Sequence, residues 1–333
     1  MILIFSNAFE PTTNAVIDWL LYFNKKVIRI NPDDGDLSSL NLVSKKYPEK
    51  AALDVDFSFI YKDKEVKLSE VEGYWFRRGK IPVHRPLYSL ASVFKNRFIK
   101  HFSNQLYLEL NYLNEYLFYL MSKVPARIGD PELADVNKMI VLDMAAEEGL
   151  LVPDSYIISK NDHLRSLVKK GIDLITKPLV GLMIQGKSER YFSYTERINP
   201  DEAEEFPDDL FPSLLQEHVL KAFEIRSFYL HGKFYSMAIF SQNDNQTQVD
   251  FRKYNNEVPN RTTPYLLPVE IEQRLHKLMV RLGLDSGSVD MIATSTGQFV
   301  FLEVNPVGQF GMVSYPCNYY LEKAVAQHLS NQS

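Results

Sequence analysis

The chain has 333 residues, of which 45% are hydrophobic, and a formal net charge of −5 at pH 7. This length and apolar content predict a folded protein of two or three packed units. The acidic balance provides no basic field of the kind that generic nucleic-acid binding needs, so we expect no nucleic-acid partner.

Cysteine content and hydropathy narrow the class of protein further. The single cysteine, Cys317, excludes an intrachain disulfide framework and a zinc site built from several cysteines. The first residues, MILIFSNAFEP, carry no basic region before their short apolar run, so they predict a buried strand and not a signal peptide. The apolar stretch from Leu106 to Met121 contains Glu109 and Glu115, which makes a bilayer span costly. We therefore expect a cytoplasmic protein with no membrane partner.

The first elements in chain order predict a βαβ opening. Ile2 to Phe5 is an apolar strand, Thr12 or Thr13 can cap the following helix, and residues 27–31 return as a second strand. No Gly-x-Gly turn follows the first strand, so the dinucleotide-binding fingerprint is absent.

The rest of the chain predicts alternating elements separated by two joints. We expect strands at 55–61 and up to Gly79, a long helix at about 87–122, helices at 131–148 and 162–170, and strands at 155–158 and 172–177. The Pro-Gly-Pro loop at 125–131 and the acidic, proline-punctuated stretch 199–212 mark the joints. Beyond them we expect two hairpins, a helix at 269–282 and a closing helix at 319–329. The pattern predicts an α/β (α+β) protein with parts at 1–124, 125–212 and 213–333.

The strongest chemical signal is the hairpin GSVDMIATSTGQFVFLEVNP. If its turn is centred between Thr296 and Gly297, Asp290 and Glu303 stand opposite each other, with Cβ atoms about 5 Å apart. Asn305 shares the face of Glu303, because side chains two apart in a strand point the same way.

Opposed carboxylates on a buried ladder repel each other unless a cation lies between them. Oxygen ligands that leave room for phosphate oxygens suit Mg²⁺ better than zinc. Asp290, Glu303 and Asn305 therefore predict a magnesium site, and solvated strand charges are the alternative.

A second group of residues has the character of a nucleotide site. Lys138, within the helix predicted at 131–148, and Lys177, at a strand end, are placed where cations could reach phosphates from different elements. The interior-strand sequence Gln216-Glu217-His218-Val219 offers backbone groups to an adenine edge. Glu224 and Arg226 alternate onto one face of the next strand, where Glu224 can accept ribose hydroxyls and Arg226 can meet phosphate; a cross-strand ion pair is the alternative.

Residues 181–188, GLMIQGKS, match the Walker A pattern letter for letter. A P-loop requires a helix immediately afterwards, whose N-terminal amides meet the phosphates. The following ERYFSYTERI alternates like a strand, so we reject the P-loop and predict a flexible turn at residues 181–186 in a β-hairpin that closes over the triphosphate.

Asp250 and Arg252, in VDFRKY, lie two apart on one strand face. The arginine can neutralise a transferring phosphoryl group, and the aspartate can orient a nucleophile or take its proton. With Arg226 they are the candidate catalytic residues, and a strand-end salt bridge is the alternative.

The order of these features resembles the ATP-grasp enzymes from about Asp130 to Leu329, and within them the graspetide macrocyclases, the microviridin-type peptide maturases. The special resemblances are Tyr74-Trp75-Phe76-Arg77-Arg78, Glu224-Ile225-Arg226, Asp250-Phe251-Arg252 and Glu303-Val304-Asn305-Pro306-Val307-Gly308-Gln309-Phe310. The grasp-with-spasm branch is the nearest subgroup. At Phe310 the family often has tryptophan instead.

The resemblance implies a fold, a reaction and roles for the candidate residues. We expect an N-terminal βαβ pre-ATP-grasp domain, a central α/β domain and a C-terminal antiparallel-sheet domain. Such enzymes use ATP and Mg²⁺ to phosphorylate Asp or Glu side chains of a ribosomally made precursor peptide, leader plus core, and then close an ester with Ser or Thr, or an amide with Lys. By resemblance, ATP would be bound by Lys138, Lys177, Glu217 to Val219 and Glu224, magnesium by Asp290, Glu303 and Asn305, and the peptide core by Asp250 and Arg252.

Two alternative functions stay open at the level of sequence. A glutamate-adding or glutathione-synthetase-like amide ligase would need the same nucleotide and metal residues, and it would differ in its acceptor. A regulatory protein that only binds ATP would have less need of the complete set Asp290, Glu303 and Asn305. A homodimer is compatible with the sequence.

Overall fold

The computed structural model describes residues 1–34, 37–79, 81–82, 97–180, 183–185, 190–192, 195–242 and 259–331, with side chains except at residues 33, 97–103, 183–185 and 190–192. The chain divides into two compact units, Met1–Ala134 with Tyr320–Ser333, and Asp135–Tyr319. The division into three functional parts stays a prediction.

The first unit is built on a parallel sheet of four strands, which are β1 Ile2–Phe5, β2 Val27–Ile30, β6 Gly73–Phe76 and β7 Ala126–Ile128. Their order in the sheet is β2-β1-β6-β7. All residues of β1 and β6 are buried, as the central strands of a parallel sheet require. The predicted βαβ opening is confirmed.

Within the described residues, the first unit also contains a second, antiparallel sheet and three α-helices. The sheet consists of β3 Ser39–Lys45, β4 Asp54–Tyr61 and β5 Lys64–Lys67. The helices are α1 Pro11–Tyr22, α2 Arg97–Met121 and, from the end of the chain, α8 Leu321–Leu329, which packs on α1.

The second unit contains two larger sheets and a hairpin. A four-stranded sheet has the order β12-β9-β13-β8, from β8 Ser155–Lys160, β9 Leu174–Thr176, β12 Glu196–Arg197 and β13 Asp209–Glu217. A five-stranded antiparallel sheet has the order β16-β15-β14-β17-β18, from β14 Phe223–Leu230, β15 Lys233–Phe240, β16 Arg261–Tyr265, β17 Ser286–Ala293 and β18 Phe299–Asn305. The helices are α3 Lys138–Glu147, α4 Asn161–Lys169, α5 Pro200–Glu205, α6 Val269–Arg281 and α7 Gly311–Cys317.

In the Walker-type segment, the predicted strand after the glycines is confirmed, but the predicted turn lies at a different position. β10 Met183–Gln185 pairs antiparallel with β11 Arg190–Phe192, so a strand and not a helix follows the glycines. Because Met183–Gln185 is itself a strand, the predicted turn at residues 181–186 is wrong in its position. The remaining residues, 181–182 and 186–189, lie outside the described residues.

Two helix starts also differ from the prediction. Helix α1 begins at Pro11 with Glu10 in the capping position, because proline at the first helical position fixes φ and needs no hydrogen bond. Helix α3 begins at Lys138 and not at residue 131, since the Asn137 side chain accepts hydrogen bonds from Met139 and Ile140. The second shift places Lys138 in the first turn of the helix.

Among the described residues, none of the helices combines the length and the apolar character needed to cross a bilayer.

Candidate active site

The two acidic residues of the hairpin β17–β18 lie directly opposite each other. Asp290 pairs with Glu303 in the ladder, as predicted, while Met291 pairs with Phe301, so the register shifts between these pairs. Leu302 is therefore the extra residue of a β-bulge. The turn itself is centred one half-residue earlier than predicted, and the bulge restores the Asp290–Glu303 pair.

Asn305 joins the two carboxylates through its side-chain amide. Its Nδ2 lies 3.3 Å from Asp290 Oδ2 and 3.4 Å from Glu303 Oε1. The three predicted metal ligands are thus together on one face of the hairpin.

Two cationic side chains compensate the charge of these carboxylates. Arg226 lies opposite Asp290 in the β14–β17 ladder, and its Nη1 is 3.3 Å from Asp290 Oδ1. Lys138 Nζ lies 3.2 Å from Glu303 Oε2. All four side chains are between 10% and 19% exposed, so the ion pairs are largely withdrawn from water.

The donor set fits a hard divalent cation. Asp290 and Glu303 provide carboxylate oxygens and Asn305 provides an amide oxygen once its side chain is flipped, which matches the oxygen ligands that Mg²⁺ prefers. Within the part of the chain that the structure describes, no cluster of three or more His, Cys, Asp or Glu side chains could hold a metal. The hairpin would therefore need further oxygen ligands from water or phosphate, as is usual for Mg²⁺.

Lys138 also connects the hairpin with the end of β9. Its Nζ donates a hydrogen bond of 3.0 Å to the carbonyl oxygen of Pro178, which follows Lys177. Lys177 comes directly after β9 and is partly buried. The two predicted phosphate-binding lysines thus belong to one region of the second unit.

The predicted adenine hinge is the end of β13 and the residues after it. The backbone N–H groups of Glu217 and His218 donate to the carbonyl oxygens of Asp154 and Asp173. These two donors are used inside the protein, so the hinge prediction depends on the other backbone groups of residues 216–219. Val219 lies in the partly buried connection between β13 and β14.

Side chains hold this hinge on both sides. Gln216 is buried, and its Nε2 donates 2.8 Å to Ser155 Oγ. His218 Nδ1 lies 2.9 Å from Asp173 Oδ2. Burial raises the pKa of Asp173, but the hydrogen bonds from Arg197 and His218 outweigh it and hold the pKa below the ordinary value. Ser155 and Asp173 are supporting residues that the sequence interpretation missed.

Glu224 is a buried acid with two partners that the sequence interpretation also missed. It pairs with Lys221 Nζ, and Ser241 Oγ donates a hydrogen bond of 3.1 Å to the same oxygen. Burial raises the pKa of Glu224, and Lys221 and Ser241 lower it in part. The spacing Lys221-x-x-Glu224 was the available sequence signal. Arg226 pairs with Asp290 across β14 and β17, which is the cross-strand ion pair that the sequence analysis named as the alternative, whereas Glu224 pairs with Lys221.

The segment after β18 is fixed by close packing. A Cβ atom at Gly308 would lie 2.2 Å from Ser288 Oγ and 2.5 Å from the backbone nitrogen of Ser288. Phe310 is buried, and its ring centroid lies 4.9 Å from that of Phe228 in β14. This packing holds the chain leaving Asn305 against the sheet that carries Arg226.

Asp250 and Arg252 lie outside the described residues, and their assignment stays a prediction.

Comparison with known proteins gives matches among solved structures. No family model and no curated protein matches the chain. A Chryseobacterium gregarium RiPP-associated ATP-grasp ligase, solved with ADP and a leader and core peptide, has a TM-score of 0.79 at 20% identity, covering 100% of this chain and 97% of that one. Macrocyclase MdnC from Microcystis aeruginosa MRC, bound with precursor peptide MdnA, has a TM-score of 0.73 at 23% identity, covering 99% of each chain.

A third structure adds the metal to this comparison. ATP-grasp ligase PsnB, complexed with minimal precursor, Mg and ADP, has a TM-score of 0.71 at 14% identity, covering 99% of this chain and 96% of that one. Matches of this extent, over full chains, confirm the α/β architecture that the sequence resemblance implied. This chain has the fold of the ATP-grasp ligases.

Proposed function

We propose that the protein is an ATP-dependent, ADP-forming ligase that joins side chains within a ribosomally made precursor peptide. Its substrates are ATP with Mg²⁺ and a peptide that carries Asp or Glu side chains together with Thr, Ser or Lys. The product contains ω-ester or ω-amide crosslinks. The observation that carries the proposal is the convergence of Asp290, Glu303 and Asn305 with Arg226 and Lys138 on one sheet face.

The fold supports the assignment of a peptide substrate. Structures of this fold that match the chain over almost its full length were solved with ADP, with Mg, and with leader, core or precursor peptides. The same fold also occurs in D-cycloserine synthetase DcsG, at a lower TM-score of 0.54. The peptide is therefore favoured over a small acceptor.

In the proposed reaction, oxygen of a peptide carboxylate attacks the γ-phosphorus of ATP, and ADP leaves. A hydroxyl or amino group of the same peptide then attacks the acyl carbon, its proton passes to a base, and inorganic phosphate leaves. The peptide loses one water per bond formed. The acyl phosphate stores the free energy of ATP cleavage in the bond that the nucleophile breaks.

Each site residue has a role in this scheme. Asp290, Glu303 and Asn305 would hold Mg²⁺, which would screen the phosphate charge. Lys138 and Lys177 bind phosphate oxygens, Gln216 to Val219 contact the adenine, and Glu224 accepts the ribose hydroxyls. Arg226 orients Asp290 and contributes positive charge beside the phosphates. Asp250 and Arg252 act on the peptide.

The test is a reconstitution with the peptide encoded by a short neighbouring reading frame rich in Thr, Ser, Asp and Glu. We expect ADP and phosphate to appear only with Mg²⁺, and the peptide mass to fall by one water per bond. AMP and pyrophosphate as products would contradict the acyl phosphate. A mass increase by one amino acid would show the amide ligase of the glutamate-adding type instead.

A further inference from the structure

The carboxyl end of the parallel sheet in the first unit carries a charged cluster that the proposed reaction does not use. Strands β1 and β6 are adjacent and parallel, with Ile2 opposite Gly73 and Phe5 opposite Phe76. After β1 the chain passes through α1 to β2, which lies on the other side of β1 from β6 in the same sheet. The strand after β6 is β7, which lies on the opposite side of β6 from β1. The connections that leave β1 and β6 therefore lead in opposite directions, and ligands of open α/β sheets bind at such a point.

Two arginines at this point share one carboxylate. Arg77 Nη2 lies 3.2 Å from Glu10 Oε1, and Arg78 Nε lies 3.2 Å from Glu10 Oε2. Thr12 Oγ1 also donates to Glu10 Oε1 at 3.2 Å. Two guanidinium groups and one carboxylate leave one net positive charge.

The two arginines differ in what they can do. The Arg77 side chain is only 3% exposed, and its ion pair with the buried Glu10 is enough to join the two loops. The Arg78 side chain is 41% exposed, and its Nε lies within ion-pair distance of Glu10 Oε2 without forming a hydrogen bond. Among the described contacts, its terminal amino groups have no partner. Arg78 thus presents charge to the solvent while Glu10 fixes its position.

The chain that follows the two arginines contains no acid that would balance this charge before Glu109. No Asp or Glu occurs between Glu72 and Glu109, although the whole chain has a net charge of −5. Burial lowers the pKa of Arg77, the charge of Glu10 opposes this, and the like charge of Arg78 adds to the lowering.

The loop after β1 adds an apolar contact surface beside the charge. Phe9, next to Glu10, is 97% exposed. The loop is held in place, since Arg29 of β2 donates to the carbonyl oxygen of Asn7 and to Asn14 Oδ1. An exposed phenylalanine on a loop that is fixed from both sides loses little freedom on binding a partner.

We propose that Phe9 and Arg78 form a docking site for an acidic segment of a peptide, in which Arg78 binds a carboxylate and Phe9 packs on a neighbouring apolar side chain. This deepens the proposed function, on which it rests, because it assigns residues of the first unit to the peptide substrate. A planar guanidinium binds a carboxylate through two parallel hydrogen bonds, so the site selects Asp or Glu over their amides.

The experiment uses the full chain and two fluorescein-labelled peptides, four Leu-Glu repeats and four Leu-Gln repeats, with binding measured by anisotropy. We expect the Glu peptide to bind more tightly, and this preference to fall about tenfold in Arg78→Gln and to be partly kept in Arg78→Lys. Phe9→Ser should weaken both peptides equally. The matched controls Lys62→Gln, whose lysine pairs with Asp34, and Tyr22→Ser, whose tyrosine is 74% exposed, should bind as the wild type.

The outcomes separate this inference from the proposed function. Wild-type peptide preference in a folded Arg78→Gln variant would overturn the docking site, as would displacement of the peptide by an equal concentration of inorganic phosphate. ATP binding is measured on the same samples. If the wild type did not bind ATP but its preference for the Glu peptide still depended on Arg78, the proposed ligase function would be rejected and the docking site would be supported.

Discussion

Arg226 of β14 and Asp290 of β17 lie directly opposite each other, and the guanidinium Nη1 is 3.3 Å from Asp290 Oδ1. Asp290 also accepts a hydrogen bond from Asn305 and faces Glu303 in the next ladder. The carboxylate therefore connects a cation on one neighbouring strand with a second acid on the other. Removing the charge of Arg226 or of Asp290 leaves the charge of the other residue largely buried without this ion pair.

We first predict that Asp290→Asn abolishes ATP turnover and also destabilises the protein. The variant leaves the Arg226 charge largely buried and unpaired, which costs about 3 kcal/mol of the free energy of unfolding. The double variant Arg226→Met/Asp290→Asn should recover most of that stability and none of the turnover. Urea unfolding and ADP release measure the two effects, and near-normal turnover in Asp290→Asn would make the hairpin structural only.

The second prediction concerns the pH dependence of stability at Glu224. Burial raises its pKa above the ordinary value of 4.5, so its protonated form is favoured in the folded state. The stability that the raised pKa of Glu224 contributes is complete below pH 4.5, and it is lost as the pH rises through the pKa of Glu224 in the folded state. Wild-type stability should thus fall, relative to Lys221→Met/Glu224→Gln, as the pH rises above 4.5.

The double variant is used because it leaves no buried cation without a partner. Thermal unfolding between about pH 4 and pH 8 gives the comparison. A difference between the two proteins that does not change with pH would show that Lys221 compensates the burial of Glu224 completely.

The third prediction concerns the two glycines Gly308 and Gly297. Gly308→Ala should disrupt the site, because its Cβ would lie 2.2 Å from Ser288 Oγ and 2.5 Å from the Ser288 backbone nitrogen. Gly297 has φ +82° and no atom within 4 Å of an added Cβ. Gly297→Ala should therefore cost only about 1–2 kcal/mol of backbone strain. Equal losses of stability in the two variants would contradict this packing account.

The sequence was sufficient to predict the acidic pair of the hairpin β17–β18 and insufficient to predict its exact register. The equal distances of Asp290 and Glu303 from the predicted turn indicated that they pair, which the structure confirms. The bulge at Leu302 was not predicted, because a bulge changes the local pairing without leaving a distinct residue signal. Here the predicted pair is correct because the bulge offsets the displaced turn.

The ion pairs around the hairpin were beyond the reach of the sequence. Lys138 and Glu303 are 165 positions apart, and only the packing of α3 on β18 brings them within 3.2 Å. Helix α7 was also missed, since Pro316 lies inside it and proline predicts a helix end. Local patterns predict elements, whereas contacts between distant elements depend on packing that one sequence does not specify.

The last prediction separates nucleotide binding from group transfer, with Arg252 and Lys177 as the compared residues. Lys177 follows β9, beside Pro178, whose carbonyl oxygen accepts a hydrogen bond from Lys138. Because we propose that Lys177 binds phosphate oxygens of ATP, Lys177→Ala should weaken ATP binding itself. We propose that Arg252 acts on the peptide carboxylate, where its charge would matter most as the acyl phosphate forms and collapses, so we expect it to stabilise the transition state more than bound ATP.

We expect Arg252→Ala to keep ATP affinity within a few-fold and to lower peptide crosslinking by roughly a hundredfold, the usual scale for one preorganised electrostatic donor. Calorimetry of ATP binding and mass spectrometry of crosslinks measure both variants, with circular dichroism as the control for folding. The two residues carry the same charge, so a general loss of positive potential would affect both variants alike. If Arg252→Ala lost ATP binding and crosslinking together while remaining folded, Arg252 would be a nucleotide ligand, and the peptide face would have to be sought elsewhere in the second unit.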